Sequence, residues 1–351
     1  MASVKADDGF VMRLLAPLDE KVYPVKLLVR IWGPRVEFFV RLILVATFFD
    51  DTIRTASDFG EHTKQVGEKG VLEGLASASP ELAGFIATIA LGVGLVCQSL
   101  GSLCLLALFQ TDAATKVLIA WSVAQPILYA QLSNGFFVSR SVSLVGGLFM
   151  LRAHLASEQA KRDDLSSSGL NAPGGAERAA IARTQLLGRV LLPAVYLHQA
   201  GLVLLAMFAD SLSMFVLNTS VFGGLVVVCT LVAAGLRSRT VALSLALVNL
   251  FVVLYRHPFF LYVWRENGAW KYDEDKLRIS MPHVALPKDV MRYAKDPDDF
   301  EPWYLVDLHR YYFFQGLSTS GALLLLAQFG PGEIAIEEDE VLLGDVQRAR
   351  D

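Results

Sequence analysis

The sequence lacks charge over long stretches. Charged residues supply 19% of the 351 positions and hydrophobic residues 54%, whereas a soluble domain carries about a quarter charged residues. The charges that are present gather between the apolar runs, because a charge at the middle of a bilayer costs roughly 2.5–3.5 kcal/mol. This pattern excludes an ordinary soluble protein and predicts an all-α, polytopic transmembrane helical bundle in contact with the lipid bilayer.

Eight apolar runs reach the length of about 20 residues that a helix needs to cross the hydrocarbon core. They are 38–56, 82–109, 114–133, 135–153, 186–209, 212–236, 240–262 and 310–329. We therefore expect about eight spans. Seven is the alternative count. Asp50 and Asp51 interrupt the first run, the third contains Pro126, and the fourth contains Arg140.

Cysteines are few, and recognisable catalytic motifs are missing. Cys97, Cys104 and Cys229 lie inside apolar runs, without the Cys/His spacing that holds a metal. The chain has no GxSxG, HExxH, P-loop or dinucleotide-binding fingerprint. Its net charge of −4 argues against a nucleic-acid-binding protein, which would present a basic surface. We expect no enzyme activity, no cofactor, no metal and no nucleic-acid partner.

The distribution of Lys and Arg predicts that both termini are cytosolic. Basic residues concentrate before the first run and between the fourth and fifth runs, and cytosolic loops carry an excess of such residues. An even number of spans agrees with this orientation. The expected parts are a cytosolic N-terminal segment 1–36, a transmembrane domain 37–330 containing a flexible cytosolic linker 157–183 and a lumenal lobe 265–307, and a cytosolic acidic tail 331–351.

Polar side chains from four predicted helices reach one depth near the lumenal end of the bundle. Charges within a membrane are costly and usually face the bundle interior or a water-filled cavity. The group contains Asp50, Arg54, Arg140, Tyr255, Arg256, Arg310, Tyr311, Tyr312 and Gln315. Two interpretations stand: an interfacial belt of aromatic residues and snorkelling arginines, or a pocket open to the lumen that receives a cation or a peptide amine.

Five blocks of the sequence resemble the surfeit locus protein 4 family, in the family's order. They read RLILVATFFDDTIR, FFVSRSVSLVGGLFML, LLGRVLLPAVYLHQAG, AGLRSRTVALSLALVNLFVVLY and YYFFQGLSTSGALLLLAQFGPGEIAIEEDE. The resemblance implies a non-enzymatic cargo receptor of the endoplasmic-reticulum membrane that cycles to the intermediate compartment and the Golgi. Such a receptor binds soluble secretory cargo in the lumen and loads it into coat protein complex II vesicles through their adaptors.

The resemblance also implies that cargo is recognised through short apolar, proline-containing N-terminal peptides. An anionic group would then meet the N-terminal ammonium, and we predict that Asp50 and Asp51 do so while Arg54 holds their carboxylates in place. Aromatic and hydrogen-bonding residues at the same depth would form the walls. The predicted cargo-binding set is Asp50, Asp51, Arg54, Arg140, Tyr255, Tyr312, Phe313 and Gln315.

The sequence also departs from the family pattern. The chain ends in QRARD and lacks the dilysine signal that coat protein complex I reads, so we expect that partner only through another element. Two other functions stay open at this point. A DoxX-like membrane redox or quinone-associated protein would need paired histidines or cysteines facing one cavity, and a small-solute transporter would show inverted repeats and polar groups at mid-membrane.

Overall fold

The computed structural model describes residues 33–166, 175–206, 212–266, 269–279 and 302–335. Its helices are α1 (Gly33–Ser57), α2 (Phe59–Glu68), α3 (Glu73–Ala78), α4 (Pro80–Leu106), α5 (Thr111–Leu128), α6 (Gly135–Ser166), α7 (Gly175–Leu191), α8 (Ala194–Ala206), α9 (Leu212–Ala234), α10 (Ser238–Arg256), α11 (Glu274–Ile279) and α12 (Pro302–Phe329). A 3₁₀ turn (Phe259–Leu261) and an antiparallel hairpin of β1 (Val263–Glu266) and β2 (Ala269–Tyr272) follow α10. Each predicted apolar run is helical over most of its described length, which confirms the all-α class.

Among the described residues, five helical stretches are long and apolar enough to cross a membrane. They are Pro80–Leu106, Gly135–Ala160, Gly175–Leu205, Ser213–Ala234 and Ser238–Leu261. The chain is therefore a multi-pass membrane protein built as a helical bundle. Helices α1, α5 and α12, which cover the other three predicted spans, are not among these stretches. The count of eight or seven spans and the cytosolic termini stay predictions.

Helix α12 packs against α1, α6 and α10. Glycines allow this close approach, because small residues let helix backbones come together in a bundle. A Cβ at Gly321 would lie 2.8 Å from the backbone nitrogen of Leu44, and a Cβ at Gly147 would lie 2.6 Å from the Cβ of Ala322. Residues of α1, α6 and α12 thereby share one buried core.

The fifth predicted run, 186–209, is two helices rather than one. Helix α7 ends and α8 begins on either side of Pro193, because proline has no N–H to donate and its ring blocks the preceding turn. The broken turn is bonded by a neighbour: Ser143 Oγ on α6 donates to the Leu192 carbonyl oxygen at 2.6 Å and accepts from the Val195 N–H at 3.0 Å.

The expected flexible linker 157–183 is mostly helical. Helix α6 continues to Ser166, α7 begins at Gly175, and the two helices pack together. The run of Ala, Glu, Gln, Lys and Arg in these segments explains the difference, since these residues have high helix propensity. Residues 167–174, which hold most of the Ser/Gly/Pro-rich stretch, lie outside the described residues.

The expected lobe 265–307 overlaps the hairpin, α11 and the first residues of α12. Helix α12 begins at Pro302 instead of 310, because proline is well suited to the first turn of a helix. Leu277 of α11 packs there against Leu305 and Val306. His309 Nε2 donates to the Leu277 carbonyl oxygen at 2.9 Å, which ties the lobe to α12. Residues 280–301 lie outside the described residues, so the rest of the lobe stays a prediction.

Arg189 joins three parts of the chain at the opposite end of the bundle, hereafter the Arg189 end. It is 1% exposed and donates to the carbonyl oxygens of Ala233 at 3.0 Å, Pro331 at 2.6 Å and Ile334 at 2.6 Å. Gly235 has a φ of +80°, and a Cβ there would lie 2.6 Å from Arg189 Nη1. The segment that follows α12 is thereby fixed against α7 and α9. Residues 1–32 and 336–351, which include most of the two predicted terminal segments, lie outside the described residues.

Candidate functional site

An open cavity of about 500 Å³ lies where α1 ends, α6 begins and α12 begins, hereafter the cavity end. This is the end for which the charge pattern predicts a lumenal location. The lining residues are Arg54, Glu61, His62, Lys64, Gln65, Glu68, Lys69, Gln125, Tyr129, Gln131, Asn134, Phe136, Phe137, Asp307, Leu308, Tyr311 and Tyr312. The lining thus combines three acidic and three basic residues with amides and aromatic rings.

A network of charges and amides forms one wall of the cavity. Arg54 Nη2 donates to Asp51 Oδ1 at 2.8 Å, and Arg54 Nη1 lies 3.4 Å from Asp307 Oδ2. Gln125 Nε2 donates to the second oxygen of Asp51 at 2.9 Å. The Arg54 guanidinium also lies 5.2 Å from the centre of the Tyr311 ring. Both Asp51 oxygens are therefore engaged by protein groups, and Arg54 holds Asp307 at the cavity surface.

Asp50 lies deeper than this network. It is 4% exposed, and its carboxylate accepts a hydrogen bond from Arg310 Nε of α12. The pair joins the first and last long helices of the described chain, at a position where a single unpaired charge would be costly. Asp50 therefore pairs with Arg310 rather than with Arg54, although residues 50 and 54 share a helix face.

His62 of α2 lines the cavity beside Tyr129. The Tyr129 hydroxyl lies 3.1 Å from His62 Nδ1, which accepts this hydrogen bond when the imidazole is neutral. Burial lowers the pKa of His62, and the nearby Arg54 guanidinium lowers it further, while the carboxylates of Asp51, Asp307 and Asp58 act in the opposite direction. A neutral His62 is thus favoured near neutral pH.

Arg140 of α6 lies behind two rings of the cavity lining. Its guanidinium carbon is 4.3 Å from the centre of the Phe136 ring and 4.9 Å from that of Tyr312. Its Nε is buried and has no hydrogen-bond partner, and no described carboxylate pairs with it. The Tyr196 hydroxyl, on the neighbouring α8, is also buried without a partner.

The predicted cargo-binding residues divide into three groups. Arg54 and Tyr312 line the cavity. Asp50, Asp51 and Arg140 lie behind the lining, within one or two contacts of it. The remaining three are elsewhere on the bundle: Tyr255 is 74% exposed and stacks on Phe251, Phe313 packs with Phe259 and Phe260, and Gln315 is not among the lining residues.

The sequence prediction missed the lining residues between Gln125 and Phe137, and it also missed helix α2. Its cavity-lining residues include Glu61, Lys64, Gln65 and Glu68, which recur at the three- and four-residue spacing of one helix face. The signal was therefore present in 58–69, a segment that is too polar to cross a membrane. Asp307 was missed because the last helix was predicted to begin three residues later.

Metal binding and thiol chemistry gain no support at this site. Within the described ranges, no three His, Cys, Asp or Glu side chains are grouped so that they would hold a metal ion. The three cysteines form no disulfide.

Comparison of the sequence with known proteins identifies a family. The model of the SURF4 family matches residues 27–273. The Surfeit locus protein 4 homolog of Drosophila melanogaster is 25% identical over 85% of this chain and 87% of its own length. The ER-derived vesicles protein ERV29 of Saccharomyces cerevisiae is 22% identical over 87% of this chain and 77% of its own.

A further relative is the Surfeit locus protein 4 homolog of Schizosaccharomyces pombe, 25% identical over 87% of this chain and 82% of its own. No solved structure gives a significant match. The matched residues of the family model cover more than half of the sequence, and the chain therefore belongs to the SURF4 family.

Proposed function

We propose that this chain is a non-catalytic cargo receptor of the endoplasmic-reticulum membrane, which binds soluble secretory proteins in the lumen. The observation that carries the proposal is the open cavity at the end of the bundle predicted to be lumenal. Its volume of about 500 Å³ lies in the range of ligand-binding pockets. The relative named as an ER-derived vesicles protein supports the same compartment.

The lining suits the N-terminal segment of a cargo protein. Asp307, Glu61 and Glu68 place carboxylates at the cavity surface, where they can meet an N-terminal ammonium. Phe136 and Tyr311 offer apolar ring surface to neighbouring side chains. The side-chain amides in the lining supply hydrogen-bond donors and acceptors for a peptide backbone. A few such polar groups commonly fix the orientation of a ligand in a pocket.

Asp50 and Asp51 keep a role in this proposal. Because their carboxylates are engaged by Arg310, Arg54 and Gln125, we assign to them the positioning of the wall. Arg54 is the link, since it bonds Asp51 on one side and Asp307 on the other. The ammonium is received by Asp307, and the more exposed carboxylates of Glu61 and Glu68 lie on the same cavity lining.

A peptide-binding measurement tests the cavity directly. The full chain in nanodiscs is titrated with a synthetic peptide that begins apolar-Pro-apolar, and with the same peptide acetylated at its N-terminus. We expect acetylation to weaken binding about tenfold or more, since it removes the ammonium, and tenfold corresponds to about 1.4 kcal/mol. Asp307→Asn should weaken the free-amine peptide and leave the acetylated one unchanged.

Asp275→Asn is the matched control, because Asp275 is an exposed carboxylate on α11 that does not line the cavity. Equal affinity of the free and acetylated peptides would exclude recognition of the ammonium. Failure of both peptides to bind at micromolar concentration would remove the proposed function.

We further propose that the receptor loads its cargo into coat protein complex II vesicles and cycles to the intermediate compartment and the Golgi. The large described surface on the expected cytosolic side is a helical hairpin, formed by the part of α6 after Arg152 and the part of α7 before Arg189. Adaptors would bind there. Retrieval by coat protein complex I would need an element other than dilysine. A budding reaction from microsomes, with and without the receptor, tests export: secretory proteins that depend on it should disappear from the vesicles.

A further inference from the structure

Arg140 is a cation without a counter-ion among the described residues. Two other arginines near the cavity have carboxylate partners: Arg54 has Asp51 and Asp307, and Arg310 has Asp50. Arg140 instead contacts the Phe136 and Tyr312 rings, and its buried Nε makes no hydrogen bond. Aromatic rings attract a guanidinium only weakly, by about 0.5–2 kcal/mol.

The depth of Arg140 makes the missing partner significant. It lies five residues into α6, which is about 8 Å below the start of that helix. An uncompensated charge at such a depth is expensive, and intramembrane arginines normally pair with an acid or with backbone carbonyls. A group from outside the described chain is therefore favoured beside Arg140.

A second unsatisfied group lies on α8, which packs against α6. The Tyr196 hydroxyl is buried without a hydrogen-bond partner, and Tyr196 lies near enough to interact electrostatically with Arg140. Buried polar groups without partners are uncommon in native proteins and call for a bound water, ion or ligand. A guanidinium and a hydroxyl on two packed helices can present several donors to one acceptor group.

The location indicates that this acceptor enters from the cavity. The two rings that contact the guanidinium, Phe136 and Tyr312, both belong to the cavity lining. The rings also pack edge to face, with centroids 5.3 Å apart. A ligand that occupies the cavity therefore lies directly against the rings that cover Arg140.

We propose that Arg140 and Tyr196 form an anion subsite of the cavity, which takes a carboxylate carried by the bound cargo segment. A carboxylate matches the forked donors of a guanidinium with two parallel hydrogen bonds. The inference rests on the proposed function: Asp307 receives the N-terminal ammonium, and Arg140 receives an acidic side chain further along the same segment. The receptor would thus favour cargo segments that carry Glu or Asp close to the N-terminus.

Paired peptides test the subsite. The peptides have a free N-terminal amine, begin apolar-Pro-apolar, and carry either Glu or Gln at position four, five or six. Each is titrated against the full chain in phosphatidylcholine nanodiscs. In at least one position we expect Glu to bind about tenfold more tightly than Gln, which corresponds to about 1.4 kcal/mol. Arg140→Gln should abolish this preference, whereas Arg256→Gln, at an exposed arginine of the same end, should keep it.

A small probe separates this inference from the proposed function. Phenylacetate should raise the thermal stability of the wild-type protein, its neutral isostere phenylacetamide should not, and Arg140→Gln should remove the difference. If Arg140→Gln does not fold, two comparisons on the wild-type protein still test the subsite: the Glu peptide against the Gln peptide, and phenylacetate against phenylacetamide. Equal affinities for Glu and Gln peptides at every position would overturn the subsite and leave the receptor proposal intact. If no peptide binds, an equal response to the two small probes overturns it.

A lipid headgroup is the remaining source of an anion. Addition of phosphatidylserine to the nanodiscs should leave the Glu preference and the phenylacetate response unchanged. Their loss on that addition would show that the subsite belongs to a lipid and would overturn the assignment to cargo.

Discussion

Single residues at the cavity end hold the bundle together as well as shaping its cavity. Asp50 and Arg310 join α1 to α12, and removing one partner of a buried pair costs about 3–5 kcal/mol. We therefore expect Asp50→Ala to lower the apparent Tm of the purified protein in detergent by several degrees. Asp58→Ala is the control, since Asp58 is exposed and makes no capping hydrogen bond at α2. Equal shifts for the two variants would contradict a structural role for the pair.

His62 makes the stability of the cavity end depend on pH. Burial and Arg54 lower its pKa below the ordinary value of about 6.5, so the unfolded chain binds more protons than the folded one. The contribution of a neutral His62 is therefore fully present above about pH 6.5 and is lost as the pH falls through the lowered pKa.

We expect the apparent Tm to fall between about pH 7 and pH 5, with part of the fall caused by His62. In His62→Gln that part disappears, because glutamine can accept the Tyr129 hydrogen bond without titrating. Thermal scans of both proteins across this range measure how much less the apparent Tm falls in His62→Gln than in the wild type. The comparison is needed because carboxylates also titrate in this range. Parallel curves would show that His62 carries no such contribution.

At the scale of elements, apolar runs predicted the helices well because crossing a bilayer requires length and hydrophobicity. Their ends were predicted less well. The break at Pro193 is stabilised by Ser143, a residue of another helix, and the first turns of α12 are stabilised by packing against Leu277. Such contacts between distant segments leave no mark on a local window of sequence.

The contact between α6 and α7 offers a test at this scale. A Cβ at Gly146 would lie 2.6 Å from the Leu192 backbone nitrogen, and one at Gly188 would lie 2.7 Å from the Gly146 carbonyl oxygen. We expect Gly146→Ala and Gly188→Ala each to lower the apparent Tm, because backbone on either side must move apart.

Gly223 and Gly224 of α9 are matched controls, since nothing lies within 4 Å of a Cβ at either position. Alanine there should be neutral or stabilising by up to about 1 kcal/mol, because alanine is the better helix former. Destabilisation of the controls to the same degree would mean that helix contact is not the cause.

The candidate site shows where prediction from sequence stops. The common depth of the polar residues could be predicted, because the position of a residue within an apolar run indicates how far it lies from the membrane surface. Which of them face one cavity depends on the rotation of each helix about its axis, and Tyr255 turns outward while Tyr312 turns inward. The ion pairs could not be predicted either: Asp50 pairs with Arg310, 260 positions later in the chain, and not with Arg54 on the same helix.

For the whole molecule, the orientation in the membrane can be read by glycosylation in microsomes. Ala269→Thr creates the acceptor Asn-Gly-Thr at Asn267 in the expected lumenal lobe, and Pro173→Ser creates Asn-Ala-Ser at Asn171 on the expected cytosolic side. We expect the first variant to gain a glycan and the second to match the wild-type chain. The reverse result would invert the orientation and place the cavity in the cytosol.

The order of synthesis gives the Arg189 contacts a further meaning. Two of the three carbonyl oxygens that Arg189 binds belong to residues 142 and 145 positions later in the chain. When α7 and α8 enter the membrane, the residues that carry those oxygens have not yet been synthesised. Once α9 follows, the guanidinium can bind the carbonyl oxygen of Ala233, 44 positions later in the chain, but not the other two. An incomplete chain therefore leaves this charged group without two of the three acceptors that the complete bundle supplies, so this end of the bundle closes only after the segment that follows α12 has been synthesised.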